Sequence, residues 1–471
     1  RAPRPSLTRL PRMSRGWTVR ERLRAAAARL GGGLFFRRVE VDGAERCPPD
    51  GPLVVVANHA NGLVDALLII GFLPAPSRPL ATGMLWRNPF LRPILAFGGA
   101  IPVRRRQDDA GPATNDDMFA RCHERLRRGG CLVIFPEGVS HDEPRLLPLK
   151  TGAARIVLEA EARFGPLGVR IVPVGLVFDD KHIFRSRALA VVGEALDPAP
   201  ERELHGRDPA EAVRRLTARI ETALVGVAPH YESWEEARLL RRAAGIYTRP
   251  ATAVPLALPL AERQRVARAF SAGYRRLRER APELVAEVER EMREYDALLV
   301  RHGLRDGQVA ARYHPWLVLA HTVRAAQLVL VRFPSSVLGS LVHWLPYRAA
   351  GWIAATASEG PTASYKLFAS LLLFPAWWLL LVAAAGWMGG WIAAAAAAVL
   401  GPYTARAAMR FHEERGLFTA EARGFLRLRV RPELAADLRA RRGMLTRRIG
   451  ELVEAHRRDV AGDPSVQRAM P

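Results

Sequence analysis

Lysine and cysteine are both scarce in this chain of 471 residues. Its lysines are Lys150, Lys181 and Lys366, so arginine carries nearly all the basic charge. Such a bias reflects GC-rich coding, and it gives single arginines little weight as evidence. Cys47, Cys122 and Cys131 are too few and too scattered for a disulfide framework or a zinc site, which suits a reducing compartment. The basic stretch 1–30 has no continuous apolar core, so no secretory signal is expected there. Zinc-finger spacing, a ribonucleoprotein aromatic signature and a basic region followed by heptads are all missing, which argues against a nucleic-acid partner. Gly138-Val139-Ser140-His141-Asp142 lacks the second glycine of Gly-x-Ser-x-Gly, so a serine nucleophile is not expected.

What is present is charge of one sign. The 70 basic residues exceed the 47 acidic ones, a formal net charge of +23 that calls for anionic lipid headgroups or phosphorylated substrates. An apolar fraction of 49% with 25% charged residues describes a folded chain, long enough for two or three domains.

Patterning divides the chain. Residues 1–30 read as a basic amphipathic segment, able to lie on a membrane or to pack on its own domain. Residues 31–204 alternate short apolar runs with helical stretches, predicting an α/β domain with a mixed sheet flanked by helices. Strands are expected at Arg38–Val41, Leu53–Ala57, Ala100–Val103, Cys131–Phe135, Ile171–Val177 and Leu189–Val192. Residues 205–312 carry helical periodicity and dense charge with no evident chemistry, and Leu260–Leu299 reads as one repeating helical pattern. Residues 313–360 are apolar but include Arg324 and Arg332, costly at a bilayer centre, so an interfacial placement is expected.

From Leu367 through Ala405 no charged side chain occurs, a length fitting two bilayer crossings with Gly389–Gly390 near the turn. A transmembrane hairpin within 361–410 is therefore expected, followed by a basic helical tail over 411–471. Lys366 before the run and Arg406 and Arg410 after it predict cytoplasmic ends and a catalytic domain on the cytoplasmic face. A buried helical hairpin in a soluble protein gives the same pattern.

Chemistry concentrates at four strand ends. After Val54-Val55-Val56-Ala57 comes the polar turn Asn58-His59-Ala60-Asn61-Gly62, with Asp65 opening an apolar helix. A turn at that place can fold Asp65 back on His59, fixing the tautomer and leaving the other ring nitrogen as a base for an alcohol. By itself the pair serves equally as a helix cap and a structural histidine. Three more segments follow: Gly99-Ala100-Ile101-Pro102-Val103 with Arg104, Arg105 and Arg106; Phe135-Pro136-Glu137-Gly138; and Val172-Pro173-Val174-Gly175. Ligands bind at strand ends in α/β sheets.

These four blocks, in this order over residues 58–175, resemble the glycerolipid acyltransferase superfamily, which includes lysophosphatidic acid acyltransferases. The first block here is His-x5-Asp, one residue longer than the commonest form. That length, and the string from Phe135 to Ala154, resemble the branch of yeast-type glycerol-3-phosphate acyltransferases and their bacterial relatives. The resemblance implies an enzyme moving a fatty acyl group from acyl-CoA or acyl carrier protein onto glycerol-3-phosphate or 1-acyl-glycerol-3-phosphate. It implies His59 as general base, Asp65 as its orienting partner, and Asn61 shaping the turn. Arg104, Arg105 and Arg106 would bind the acceptor phosphate, whose oxygens match guanidinium groups. Glu137 and Gly138 would help bind glycerol phosphate, and Lys150, before Thr151-Gly152, would contact phosphate. Pro173 would serve the acyl site or the fold. No cofactor or metal is implied. Another lysophospholipid acceptor, and an inactive lipid-binding scaffold, remain as alternatives.

Overall fold

The computed structural model describes residues 17–89, 91–104, 115–181, 183–248, 259–311, 333–356 and 362–461, with isolated positions at 323, 326, 327 and 330. Arg105, Arg106, Arg324 and Arg332 lie outside the described residues, as does nearly all of the expected interfacial stretch before Phe333. The described residues pack as two compact units, one within 1–230 and 350–371, the other within 231–349 and 372–471.

The first unit is built on a seven-stranded sheet in the order β1-β7-β6-β2-β5-β3-β4. Its strands are β1 (Arg38–Asp42), β2 (Leu53–Ala57), β3 (Ser77–Thr82), β4 (Ile101–Val103), β5 (Cys131–Ile134), β6 (Arg170–Phe178) and β7 (Arg187–Val192). Every pairing is parallel except β6 with β7, which makes the sheet mixed. Parallel strands covered on both faces read as unbroken apolar runs rather than alternations. All five residues of β2 and all four of β5 are accordingly buried. Val55, Val133, Val172 and Val174 form the centre of the core.

Six of the strands lie where the sequence places them; β3 does not, because Pro79 argues against a strand interior. The structure accommodates it at a change of partner. The register with β5 ends at Pro79, and that with β4 begins at Leu80. The helical pattern expected over Leu260–Leu299 is carried by two helices, Leu260–Arg280 and Pro282–Arg301. Pro282 supplies no N–H and pushes Ala281 to an extended φ of −140°.

Helix α1 (Val19–Phe35) packs on α2 (Leu63–Phe72) through Ala25, Ala28, Gly31, Gly32 and Phe35. The fit depends on small residues: a Cβ on Gly71 would meet the backbone of Arg29 at 2.9 Å. The other face of α1 leaves Val19, Leu23, Leu30 and Leu34 exposed.

The second unit is helical, with Met292, Tyr295, Leu299, Leu438, Leu445 and Ile449 in its core. Asp306 is buried there and accepts from Tyr295 Oη at 3.0 Å and from Arg442 Nε at 2.9 Å. Ala369–His412 is long and apolar enough to cross a membrane. The helical run Thr362–Val430 that contains it is broken at Gly390, where φ is 71° and ψ is −169°. Residues on either side of that break meet: a Cβ on Gly401 would stand 2.9 Å from the Trp378 ring, and one on Gly386 3.3 Å from Ala394.

Candidate functional site

Three neighbouring parallel strands, β6, β2 and β5, end at the same edge of the sheet. Each delivers polar residues there: β2 leads into Asn58–Gly62, β5 into Phe135–His141, and β6 into Asp179–Lys181. Asn58 fixes the end of β2 to β6, with Oδ1 accepting from Leu176 N at 2.6 Å and Nδ2 donating to Leu176 O at 3.1 Å. The chain then reverses through Gly62, whose φ of 61° is the left-handed conformation that glycine adopts without a Cβ clash.

That reversal brings Asp65, in the first turn of α2, under the imidazole. Asp65 Oδ2 accepts from His59 Nδ1 at 3.0 Å and from Asn61 N at 2.7 Å. The carboxylate is wholly buried, whereas the His59 side chain keeps 15% of its exposure. A proton on Nδ1 shared with the carboxylate leaves the Nε2 lone pair available, the arrangement a general base needs. The ring plane is held by Phe135, stacked at 4.1 Å between centroids and 14° between planes.

Glu137 binds the two turns together. Its Oε1 accepts from His59 N at 2.8 Å, and its Oε2 accepts from Leu147 N at 2.8 Å and from His141 Nε2. His141 Nδ1 accepts from Glu143 N at 3.1 Å, which assigns the ring proton to Nε2. The backbone adds His141 N donating to His59 O at 3.2 Å, and Ser140 Oγ accepts from Gly62 N at 3.1 Å. Ser140 and His141 thus each serve the turns and do not face one another as a pair.

Gly138 has a φ of 75°, and a Cβ there would stand 2.7 Å from Lys150 Nζ. Lys150 N donates to Pro136 O at 2.8 Å, so the lysine lies along the Glu137–Gly138 turn with its side chain exposed. His59, Asp65, Asn61, Glu137, Gly138 and Lys150 therefore share one edge. Arg104 stands apart, after β4, three strands from β2 and so about 14 Å away across the sheet. Its backbone is held by Asn115, with bonds of 3.0 Å in both directions. Pro173 lies within β6, where its carbonyl accepts from Gly193 N at 2.9 Å, and its ring packs against Gly193.

Sequence reasoning passed over Lys181. Its ammonium donates to Ala60 O at 2.8 Å and His141 O at 2.9 Å, and its own carbonyl accepts from Asn61 Nδ2 at 3.2 Å. The one available signal was its rarity, a lysine in an arginine-rich chain just beyond the end of a strand.

The acyltransferase family profile matches residues 38–177. An uncharacterized acyltransferase of Schizosaccharomyces pombe is 27% identical over 73% of this chain and 65% of its own length. Glycerol-3-phosphate O-acyltransferase 2 of Saccharomyces cerevisiae is 31% identical over 41% of this chain and 26% of its own. The human 1-acyl-sn-glycerol-3-phosphate acyltransferase alpha is 30% identical over 28% of this chain and 46% of its own. The chain thus spans less than two thirds of the length of each of these relatives.

Proposed function

We propose that the chain, whose residues 38–177 match the acyltransferase family model, is a glycerolipid acyltransferase that moves a fatty acyl group onto glycerol-3-phosphate in phospholipid synthesis. The donor in this reading is a thioester, acyl-CoA or acyl carrier protein. The acceptor hydroxyl gives its proton to His59 Nε2 as its oxygen bonds to the thioester carbonyl carbon. Asp65, 3.0 Å from Nδ1, stabilises the imidazolium as it forms. The tetrahedral oxyanion collapses, the carbon–sulfur bond breaks, and the thiolate takes the proton back from the imidazolium. A thiolate leaves readily, so no further acid is needed.

The acceptor phosphate carries two negative charges, and Lys150 beside Gly138 offers a cation next to the reacting turn. Arg104, after β4, with Arg105 and Arg106 next to it in sequence, is the further candidate for the phosphate, from guanidinium chemistry alone. Glu137 accepts three N–H bonds and so holds the His59 and His141 turns in register. The observation that carries the reading is the buried carboxylate of Asp65 on His59 Nδ1, with Nε2 left for substrate.

We also infer that the uncharged run crosses the membrane as a hairpin turned at Gly390, with both ends and the catalytic domain on the cytoplasmic side. The meeting of Trp378 with Gly401 and of Gly386 with Ala394 supports it, as do Lys366, Arg406 and Arg410 at its ends.

The test compares membranes holding the wild-type chain and His59→Ala, given labelled acyl-CoA or acyl carrier protein with each acceptor. Labelled lysophosphatidate formed from glycerol-3-phosphate, and lost in the variant, is the expected result. Phosphatidate formed only from 1-acyl-glycerol-3-phosphate would move the assignment to that acceptor, which the similarity to the human enzyme favours. Equal product from wild type and His59→Ala would overturn the mechanism.

A further inference from the structure

We propose that Lys181 is a positioning residue for the transfer: a single ammonium that locks the His59 turn to the Glu137–His141 turn. The inference rests on the acyltransferase reading and adds a residue that lies beyond the family match, which ends at residue 177.

The two turns leave different parallel strands and need a connection of their own. Between them run the His141 N bond to His59 O, the His59 N bond to Glu137 and the Gly62 N bond to Ser140 Oγ. These hold the turn at its two ends, His59 and Gly62. The next peptide, Ala60, is attached to the second turn through Lys181, whose Nζ donates to Ala60 O at 2.8 Å and to His141 O at 2.9 Å. The Lys181 backbone reaches the same turn, accepting from Asn61 Nδ2 at 3.2 Å. Asn61 N in turn binds the Asp65 oxygen that orients His59. Lys181 therefore grips Ala60 and Asn61, the two residues that follow His59, and the link through Asn61 leads to the Asp65 carboxylate.

Burial decides what the ammonium does there. The Lys181 side chain is 14% exposed, so its donors work in a partly dry setting where a charged N–H···O=C bond is strong. Its third partner, Asp142 Oδ1 at 2.9 Å, belongs to a side chain 62% exposed and is screened by solvent. The carbonyl bonds are thus the functional part, and the ion pair is secondary. Without the ammonium, Ala60 O and His141 O lose this donor, and the turn carrying His59 loses its tie at Ala60. A shift of about 1 Å in a reacting group costs roughly a hundredfold in rate.

The experiment uses the full chain in membranes with the donor and acceptor found for the wild type. Lys181→Met keeps the aliphatic stem and removes the donors; kcat should fall about a hundredfold, with the KM of both substrates within threefold. Lys181→Arg should recover part of kcat, and Asp142→Asn should stay within threefold of wild type. In a His59→Ala background Lys181→Met should cost nothing more, since a lost base cannot be mispositioned. A purely structural lysine would lower activity in both backgrounds. Should Lys181→Met melt below the assay temperature, Lys181→Gln decides, with a kcat between those of wild type and His59→Ala expected. Wild-type kcat in whichever of these two variants is folded overturns the proposal while leaving the acyltransferase reading intact. A wild-type chain that transfers to no acceptor overturns both.

Discussion

Replacing Asp65 by Asn isolates the charge beneath His59 with almost no change of shape. Asp65 Oδ2 accepts both His59 Nδ1 and Asn61 N, so an asparagine places its carbonyl oxygen there and preserves both bonds. Its amide nitrogen then takes the place of Oδ1, a buried atom with no hydrogen-bond partner among the described residues. What disappears is the attraction between carboxylate and imidazolium at 3.0 Å. At an effective dielectric constant of about 20 that attraction is about 5 kcal/mol. The imidazolium is only partly formed when the acceptor oxygen attacks, so roughly half of it acts on the barrier. Tenfold in rate corresponds to about 1.4 kcal/mol, giving a kcat lower by roughly a hundredfold, and at most about ten-thousandfold if proton transfer is complete. Neither substrate touches Asp65, so both KM values should hold. The assay is labelled acyl transfer at saturating donor and acceptor, with the melting temperature of each protein measured alongside. A folded Asp65→Asn variant within threefold of wild-type kcat would falsify the role given to this pair.

The polar strand ends were easier to read from the sequence than the framework holding them. Alone, His59 and Asp65 read as a structural histidine and a helix cap, and the three further strand-end blocks in sequence order are what single them out. Parallel strands advertise themselves by continuous apolar runs, and β2 and β5 were legible for that reason. β3 was not, because Pro79 forbids a ladder bond and nothing local reveals that the strand changes partner at that residue. The same limit hid Lys181. Its bonds run to Ala60 and His141, 121 and 40 residues away, and a contact at such separation leaves no trace in spacing. Ser140 and His141, though adjacent, bind Gly62 N and Glu137 and not each other. The amphipathic start offered two readings, membrane surface or domain packing. α1 packs on α2 by one face and exposes Val19, Leu23, Leu30 and Leu34 on the other.

Burial raises the thiols of Cys47 and Cys122 to about 12 and that of Cys131 to about 11, which disfavours the reactive thiolate. N-ethylmaleimide at pH 8 should therefore leave acyl transfer unchanged; rapid inactivation with stoichiometric labelling of the native protein would contradict that burial. Gly138→Ala forces a side chain onto a backbone at φ 75° and displaces Lys150 Nζ, which would stand 2.7 Å from the new Cβ. The strain is about 1–2 kcal/mol, and if Lys150 serves the phosphate, acceptor KM should rise severalfold while donor KM stays; an unchanged acceptor KM argues against that role. The proposed membrane hairpin makes the last prediction. From Leu367 to Gly390 a helix at about 1.5 Å per residue extends roughly 35 Å, enough for one crossing of a core about 30 Å thick. With a reversal at Gly390, cysteines at Lys366→Cys and Arg410→Cys must label from the same side with an impermeant maleimide, and Met388→Cys from the other. Labelling of positions 366 and 410 from opposite sides would mean that the run crosses once, and the contact of Trp378 with Gly401 could not then exist in the bilayer.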